Sequence, residues 1–348
     1  MNVYQIDPAT DARWGRLVER HPSSSIFHTR GWLEALRLTY GYEPVAYTTT
    51  SPGETLTNGL PFCRIKTWLT GKRLVSLPFS DHCSPLVDSR EELDAVLSSV
   101  QCDAEKEGWS HVEVRPLSRD GFAAAGFTQT DQFHLHILDL RQGAEHVFQH
   151  FHKDSVQRKI KRAEREGVVC EQGCSEALLD RFYHLLLRTR RRHGLPPQPR
   201  QWFRNLVARL GSCVQVRVAA SKSGEPIASI FTLRHKKSLT FKYGCSDERF
   251  NSLGGTQLLF WQAIQDACAE NLEEFDLGRT DAGHEGLVTF KDRWGATESP
   301  LAYYRTGAAT SSHQAARMRT ASVARHFLAY VPDPCLAVAG RFFYRHIG

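Results

Sequence analysis

Apolar positions along the 348-residue chain change period in a regular order, from strand-like runs to helical spacing and back. In the first half, "NGLPFCRIKTWLTGKRLVSLPFSD" contains two strand-like runs joined by a turn. After a linker comes "SREELDAVLSSVQCDAEKEG", where Leu93, Val96, Leu97 and Val100 recur at helical spacing, and then the strand "WSHVEVRP". The second half repeats this order. "EPIASIFTLRHKKSLTFKYGCSD" is two strands and a turn, "LGGTQLLFWQAIQDACAEN" is a helix, and "LEEFDLGR" is a strand. Both hairpins end in Ser-Asp, at Ser80-Asp81 and Ser246-Asp247. A repeat of element order predicts a duplicated α/β (α+β) protein, each unit a mixed sheet flanked by helices. The boundary falls near "LDLRQGAEH", which gives a first unit over 1–142, a second over 143–306 and an amphipathic tail over 307–348.

The second unit opens on "HKDSVQRKIKRAEREGV", with Asp154 placed to cap and Gln157 three residues later. Val156, Ile160 and Ala163 form an apolar stripe, and Arg158, Arg162 and Arg165 lie opposite it. The helix "SEALLDRFYHLLLRTRRRHG" ends in arginines at 188 and 190–192 before the prolines of "LPPQPRQW" stop it. These arginines read as solvated helix faces, or as an anion site for diphosphate or an RNA backbone. The net charge of +6 does not by itself imply nucleic acid, and no aromatics interleave with the cations in a stacking pattern. Nine cysteines show no zinc-ligand spacing, no apolar run is long enough to span a bilayer, and the N-terminal stretch shows no basic region followed by an apolar run, so no signal peptide is expected. The expectation is a cytoplasmic protein. The apolar, cationic stretch "ASVARHFLAYVPDPCLAVAGRFFYRHIG" either packs back on the second unit or lies on the inner face of an anionic membrane.

Candidate chemistry narrows further. Gly254-Gly255 stand between a strand and a helix, where free N–H groups can bind a pyrophosphate, although a tight turn also wants glycine. This order resembles the pyrophosphate loop of acyl-coenzyme A-dependent N-acetyltransferases, with Arg249 out of register. No G-x-S-x-G is present and no His-x-x-x-His helix carries a suitable Glu for a metal site, and His134 and His136 read as ordinary strand residues; no metal is expected. A direct-attack acyl transfer needs only a free amine and a positive group for the oxyanion. Lys291, between Phe290 and Asp292 in "GLVTFKDRWGA", is the candidate for that group, and Asp81 and Asp276 come next.

"VQRKIKRAEREGV", "FTLRHKKSLTFKYGCSD", "LLFWQAIQDACAENLEEFDLGRT" and "GLVTFKDRWGA" together resemble the FemABX family of two joined N-acetyltransferase-like (GNAT) domains. "SIFHTRGWLEAL" and "LVSLPFSDHCSP" resemble that family's N-terminal domain, so the resemblance runs over roughly residues 25–305. It implies transfer of an acyl or aminoacyl group onto an amine, with no permanently bound cofactor and with aminoacyl-tRNA or acyl-CoA as donor. The implied acceptor is a UDP- or lipid-linked envelope precursor, either a muropeptide or an exopolysaccharide amino sugar. The resemblance also puts Phe290-Lys291 beside the reacting centre, and Tyr243, Asp276, Arg279 and Arg158 along the substrate groove. Arg162 and Asp81 complete the substrate-binding set, and Gly254-Gly255 would take coenzyme A. The coiled-coil arm of tRNA-using members has no counterpart in this sequence. The rival readings are an acyl-CoA-dependent N-acetyltransferase in exopolysaccharide assembly, with coenzyme A near Gly254-Gly255, and a non-catalytic RNA-binding module on the same fold.

Overall fold

The computed structural model describes residues 1–306 and 331–347. Twelve strands form the sheet: β1 (Tyr4–Ile6), β2 (Glu43–Thr48), β3 (Leu60–Thr67), β4 (Gly71–Val75), β5 (Val112–Val114), β6 (Thr128–Asp139), β7 (Val169–Gly173), β8 (Val214–Ala220), β9 (Pro226–His235), β10 (Ser238–Ser246), β11 (Glu274–Asp281) and β12 (Thr297–Arg305). The helices are α1 (Ala12–Arg20), α2 (Arg30–Tyr40), α3 (Arg90–Glu107), α4 (Ala144–His150), α5 (Arg158–Arg165), α6 (Glu176–Arg192), α7 (Arg200–Leu210), α8 (Gly255–Ala269), α9 (Glu285–Asp292) and α10 (Asp333–Ile347).

All twelve strands lie in one sheet, ordered β1-β2-β3-β4-β5-β12-β6-β11-β10-β9-β8-β7. The order has an internal symmetry. Counted inward from each edge, three antiparallel pairings precede one parallel pairing, β4 with β5 on one side and β10 with β11 on the other. The last strand of each half then crosses over: β6 pairs with β11, and β12 pairs with β5. The two crossed strands also pair with each other from Thr297↔Ile137 to Arg305↔Thr128. A cut at Gly143, the residue capping α4, therefore divides the chain between elements while leaving β6 in the other half's sheet.

The buried carboxylate of Glu113 pins this exchange. It accepts from Arg115 Nε at 2.7 Å, just past the end of β5, and from Arg305 Nε at 2.6 Å on β12. Burial alone would raise the Glu113 pKa, but the two guanidiniums outweigh it and hold it at about 2.

Helices cover both faces of the sheet. Trp14, Trp32, Phe182, Phe203 and Trp202, from α1, α2, α6 and α7, join Phe231 and Tyr243 in a cluster that spans both halves. On the opposite face of the second half, α4, α5 and α8 pack Val147, Ile160, Leu259, Phe260 and Ile264 against Ile227 and Phe275. The apolar stripe of α5 points into this core as expected. The cap differs: the His152 side chain accepts from Ser155 N, whereas Asp154 pairs with Arg158 at 2.8 Å.

Of the tail, residues 307–330 lie outside the described residues. Its last helix, α10, docks on the protein: Tyr42 Oη donates to Tyr344 O at 2.7 Å, and Thr70 Oγ1 donates to His346 O at 2.9 Å. Gly340 passes so close to Pro197 that a Cβ there would overlap its carbonyl. Among the described residues no helix is long and apolar enough to cross a membrane.

Candidate active site

The site forms where the sheet opens. β10 and β11 pair in parallel only over Ser238↔Glu274, Leu239↔Phe275 and Thr240↔Asp276. Beyond that point β10 stays with β9 and β11 stays with β6, each with an irregularity in register, at Phe241/Tyr243 and at Asp276/Arg279. The two strands part into a V beyond Thr240↔Asp276, where they no longer pair with each other. Gly278, at φ +73, sits in the V, and a Cβ there would stand 3.3 Å from Asp81 Oδ2. Glycine is the residue that fits both the backbone and the contact.

From the first half, the loop after β4 brings Asp81 and His82 into the V. Leu77 and Phe79 take positive φ, at 53 and 63, which costs on the order of 1–3 kcal/mol each. The surroundings enforce that conformation. Phe79 is wedged among Tyr40, Tyr42, Trp202 and Tyr344, Ser80 Oγ donates to Leu77 O at 2.7 Å, and Arg115 donates to Leu77 O at 3.0 Å. Tyr303 Oη donates to Asp81 O at 2.6 Å and fixes the far end.

The charged side chains then interlock. Lys242 Nζ donates to Asp81 Oδ2 at 2.9 Å, and Arg279 lies 3.9 Å from Asp81 Oδ1, its guanidinium stacked over Phe133. His82 Nε2 lies 3.1 Å from Asp276 Oδ2, and Gly278 N donates to Asp276 Oδ1 at 2.7 Å. Lys291, buried on α9, donates from Nζ to Gly278 O at 2.5 Å. Burial would raise the Asp81 pKa, but Lys242 and Arg279 more than offset it and keep the carboxylate below its ordinary range. Burial lowers the Lys242 pKa against the pull of Asp81. Burial likewise lowers Lys291, to about 8, although Asp81 and Asp276 pull it upward. An ammonium with so little surrounding water offers its charge at nearly full strength to a developing oxyanion.

Two cavities approach the V, one from each face. On the α8 side a cavity of about 410 Å³ is lined by Phe241, Gly255, Thr256, Gln257 and Phe290. On the α1–α2 side a smaller one of about 160 Å³ is lined by Ser25, Ile26, His82, Thr240 and Asp276.

The structure brings Lys291, Asp276, Arg279 and Asp81 together, with Phe290 lining the adjoining cavity. "GLVTFKDRWGA" is mostly helix α9 rather than loop, and the helix turns Lys291 inward and Phe290 toward the cavity. Tyr243 faces the other way: its hydroxyl accepts from Trp202 Nε1 at 2.8 Å and its ring packs against Phe203, so it does not line the V. Arg158 and Arg162 stand on the outer face of α5, their side chains 78% and 45% exposed, paired with Asp154 and Glu166. Gly254, at φ +78, serves close packing, since a Cβ there would lie 2.4 Å from Lys159 O; Gly255 borders the larger cavity. Arg188, Arg191 and Arg192 pair with Asp247, Asp333 and Glu248, which makes that cluster partly structural. His82 and Lys242 escape sequence inspection. A lysine breaking the apolar run "SLTFKYG" is a signal for Lys242, and His82 carries none beyond adjacency to Asp81.

A protein-family profile described as an acetyltransferase (GNAT) domain matches residues 150–292. The chain is 25% identical over 173 residues to a UDP-N-acetylmuramoylpentapeptide-lysine N(6)-alanyltransferase of Weissella viridescens, a match that covers 49% of this chain and 51% of that protein. The chain thus matches about half the length of that relative. In fold it resembles the crystal structure of FemX, with a TM-score of 0.69 and 15% identity over 87% of this chain and 97% of that one. It also resembles a tandem GNAT protein from the clavulanic acid biosynthesis pathway, with a TM-score of 0.55 and 10% identity over 88% of this chain and 100% of that one. Sheet and V define a protein of the GNAT acyltransferase fold. Within that fold the chain is similar to FemX in structure and, over about half its length, to the Weissella viridescens alanyltransferase in sequence.

Proposed function

We propose that the chain transfers an acyl or aminoacyl group onto an amine of a cell-envelope precursor, with the reaction in the V between β10 and β11. The observation that carries this is the buried Lys291 ammonium, held at Gly278 O where the sheet opens, with Asp81, Lys242, His82 and Asp276 across from it. The amine nitrogen attacks the donor's carbonyl carbon, a C–N bond forms, and the bond from that carbon to the donor's leaving oxygen or sulfur breaks. Lys291 faces the charge that grows on the carbonyl oxygen. His82, oriented by Asp276, is placed to accept the proton that the amine must lose.

The alanyltransferase relative favours an aminoacyl donor and a muropeptide acceptor. Acyl-CoA is the second donor reading, supported by the N-terminus of α8 at the larger cavity, where Gly255 and Thr256 present helix-end N–H groups. Membrane contact, for a lipid-linked acceptor, is supported by the exposed Trp68, Val338, Phe343 and Ile347 beside Arg341 and Arg345. A thermal-shift series with a UDP-linked muropeptide, coenzyme A and uncharged tRNA tests the assignment, because a ligand held only by the folded state raises its stability. Stabilisation by muropeptide and tRNA is the expected result. Stabilisation by coenzyme A alone selects the second donor. Binding of any RNA with a steep salt dependence, and no turnover with any donor, selects an RNA-binding module instead.

A further inference from the structure

On the sheet face that carries α9, a second group of side chains lies outside the V. His136 on β6 and Glu298 on β12 are direct register partners, so both project from one face of the crossed-strand ribbon. Asp292, the last residue of α9, comes down onto them from the helix. His136 Nε2 lies 3.2 Å from Asp292 Oδ1 and 3.9 Å from Glu298 Oε2, and one ligand atom from each of the three residues lies within 4.8 Å of the others. His134, two positions along the same strand, holds the second oxygen of Glu298 at 2.5 Å from its Nδ1. That contact turns Oε2 toward His136, as outer partners do for metal-bound carboxylates.

We propose that His136, Asp292 and Glu298 form a binding site for a divalent first-row transition ion such as Zn²⁺, Mn²⁺ or Co²⁺. One nitrogen and two oxygens are the donor set these ions share. Bonds of about 2.0–2.2 Å place neighbouring ligand atoms roughly 3–3.5 Å apart, so the three close on an ion with small side-chain movements. His136 is fully buried, so a rigid strand aims its nitrogen, while the half-exposed Asp292 and Glu298 leave a path for the ion and room for water as further ligands. Two carboxylates balance the ion's charge. The three ligands come from β6, α9 and β12, so occupancy ties the helix bearing Lys291 to the crossed strands. The site does not depend on what the V transfers.

The test is a Co²⁺ titration of the metal-stripped full chain, read by visible absorption and by thermal shift. The expected result is one saturable site with ligand-field bands of nitrogen and oxygen ligation, and a melting temperature that rises with Co²⁺. Glu298→Gln, Asp292→Asn and His136→Gln should each weaken binding by at least ~10–100-fold. The first two change half-exposed positions and keep the fold, so they carry the test if His136→Gln misfolds. Lack of saturation at millimolar Co²⁺, affinity unchanged in Glu298→Gln and Asp292→Asn, or a thiolate charge-transfer band showing the metal on cysteine would each overturn the proposal.

Discussion

Lys291→Met separates a functional cation from a structural one, because the structure gives opposite signs for the two roles. Burial has lowered the ammonium pKa from 10.5 to about 8. That fall corresponds to about 3 kcal/mol of penalty on the charged form in the folded state. The penalty is full below pH 8 and fades as pH rises toward 10.5, since the neutral amine is buried without it. Met keeps the bulk and removes the charge, but leaves Gly278 O without its donor, a loss of about 1–3 kcal/mol. The difference is a variant about 0–2 kcal/mol more stable than the wild type at neutral pH. Urea denaturation, with chelator present, measures this directly. The wild type should gain stability between pH 8 and 10.5, and the variant should lack that gain. With the donor and acceptor selected by thermal shift, turnover should fall roughly a hundred- to a thousand-fold, the scale of losing one oxyanion donor. Substrate binding should change much less. A variant that loses several kcal/mol of stability, or that turns over at the wild-type rate, would refute the assignment of Lys291 to the transition state.

Three further outcomes are expected. Glu113→Gln should cost about 3–5 kcal/mol, because Arg115 and Arg305 are left facing each other beside an uncharged amide. In the wild type the stability from this carboxylate is present above pH 4.5 and lost as pH falls toward about 2, and acid denaturation of the two proteins should differ in that window. Arg158→Ala with Arg162→Ala should leave urea stability within about 1 kcal/mol, as both are solvent-screened. If α5 meets the RNA backbone, the same double variant should flatten the log–log salt dependence of tRNA binding by roughly 1 to 2, and an unchanged slope would remove α5 from that surface. Gly254→Ala should destabilise by about 1–3 kcal/mol through its positive φ and the Lys159 carbonyl, while Gly283→Ala, with nothing within 4 Å of the added methyl, should be neutral.

The duplicated element order, the α8 and α3 helices and the hairpins β3–β4 and β9–β10 were all legible in the sequence, because each rests on local periodicity and turn chemistry. Lys291 was legible beside Phe290 in "GLVTFKDRWGA", with Asp81 and Asp276 as the next candidates, whereas Gly278, on which the V depends, carries no mark in the sequence. Strand exchange was not legible. β6 and β12 read as ordinary strands, and their partners are decided by which sheet edges meet when the halves pack. The same packing made a site from residues nearly 200 positions apart, such as His82 and Asp276, whose types alone carry no mark of each other. It also set which side is which: Tyr243 and Lys242 are strand neighbours and so face opposite sides, and packing made one side the core, where the Tyr243 hydroxyl meets Trp202, and the other the V, where the Lys242 ammonium meets Asp81. Sequence fixes which residues can form an element, since that depends on neighbours along the chain. Only the tertiary structure decides which charges are buried together, since desolvation and pairing depend on neighbours across it.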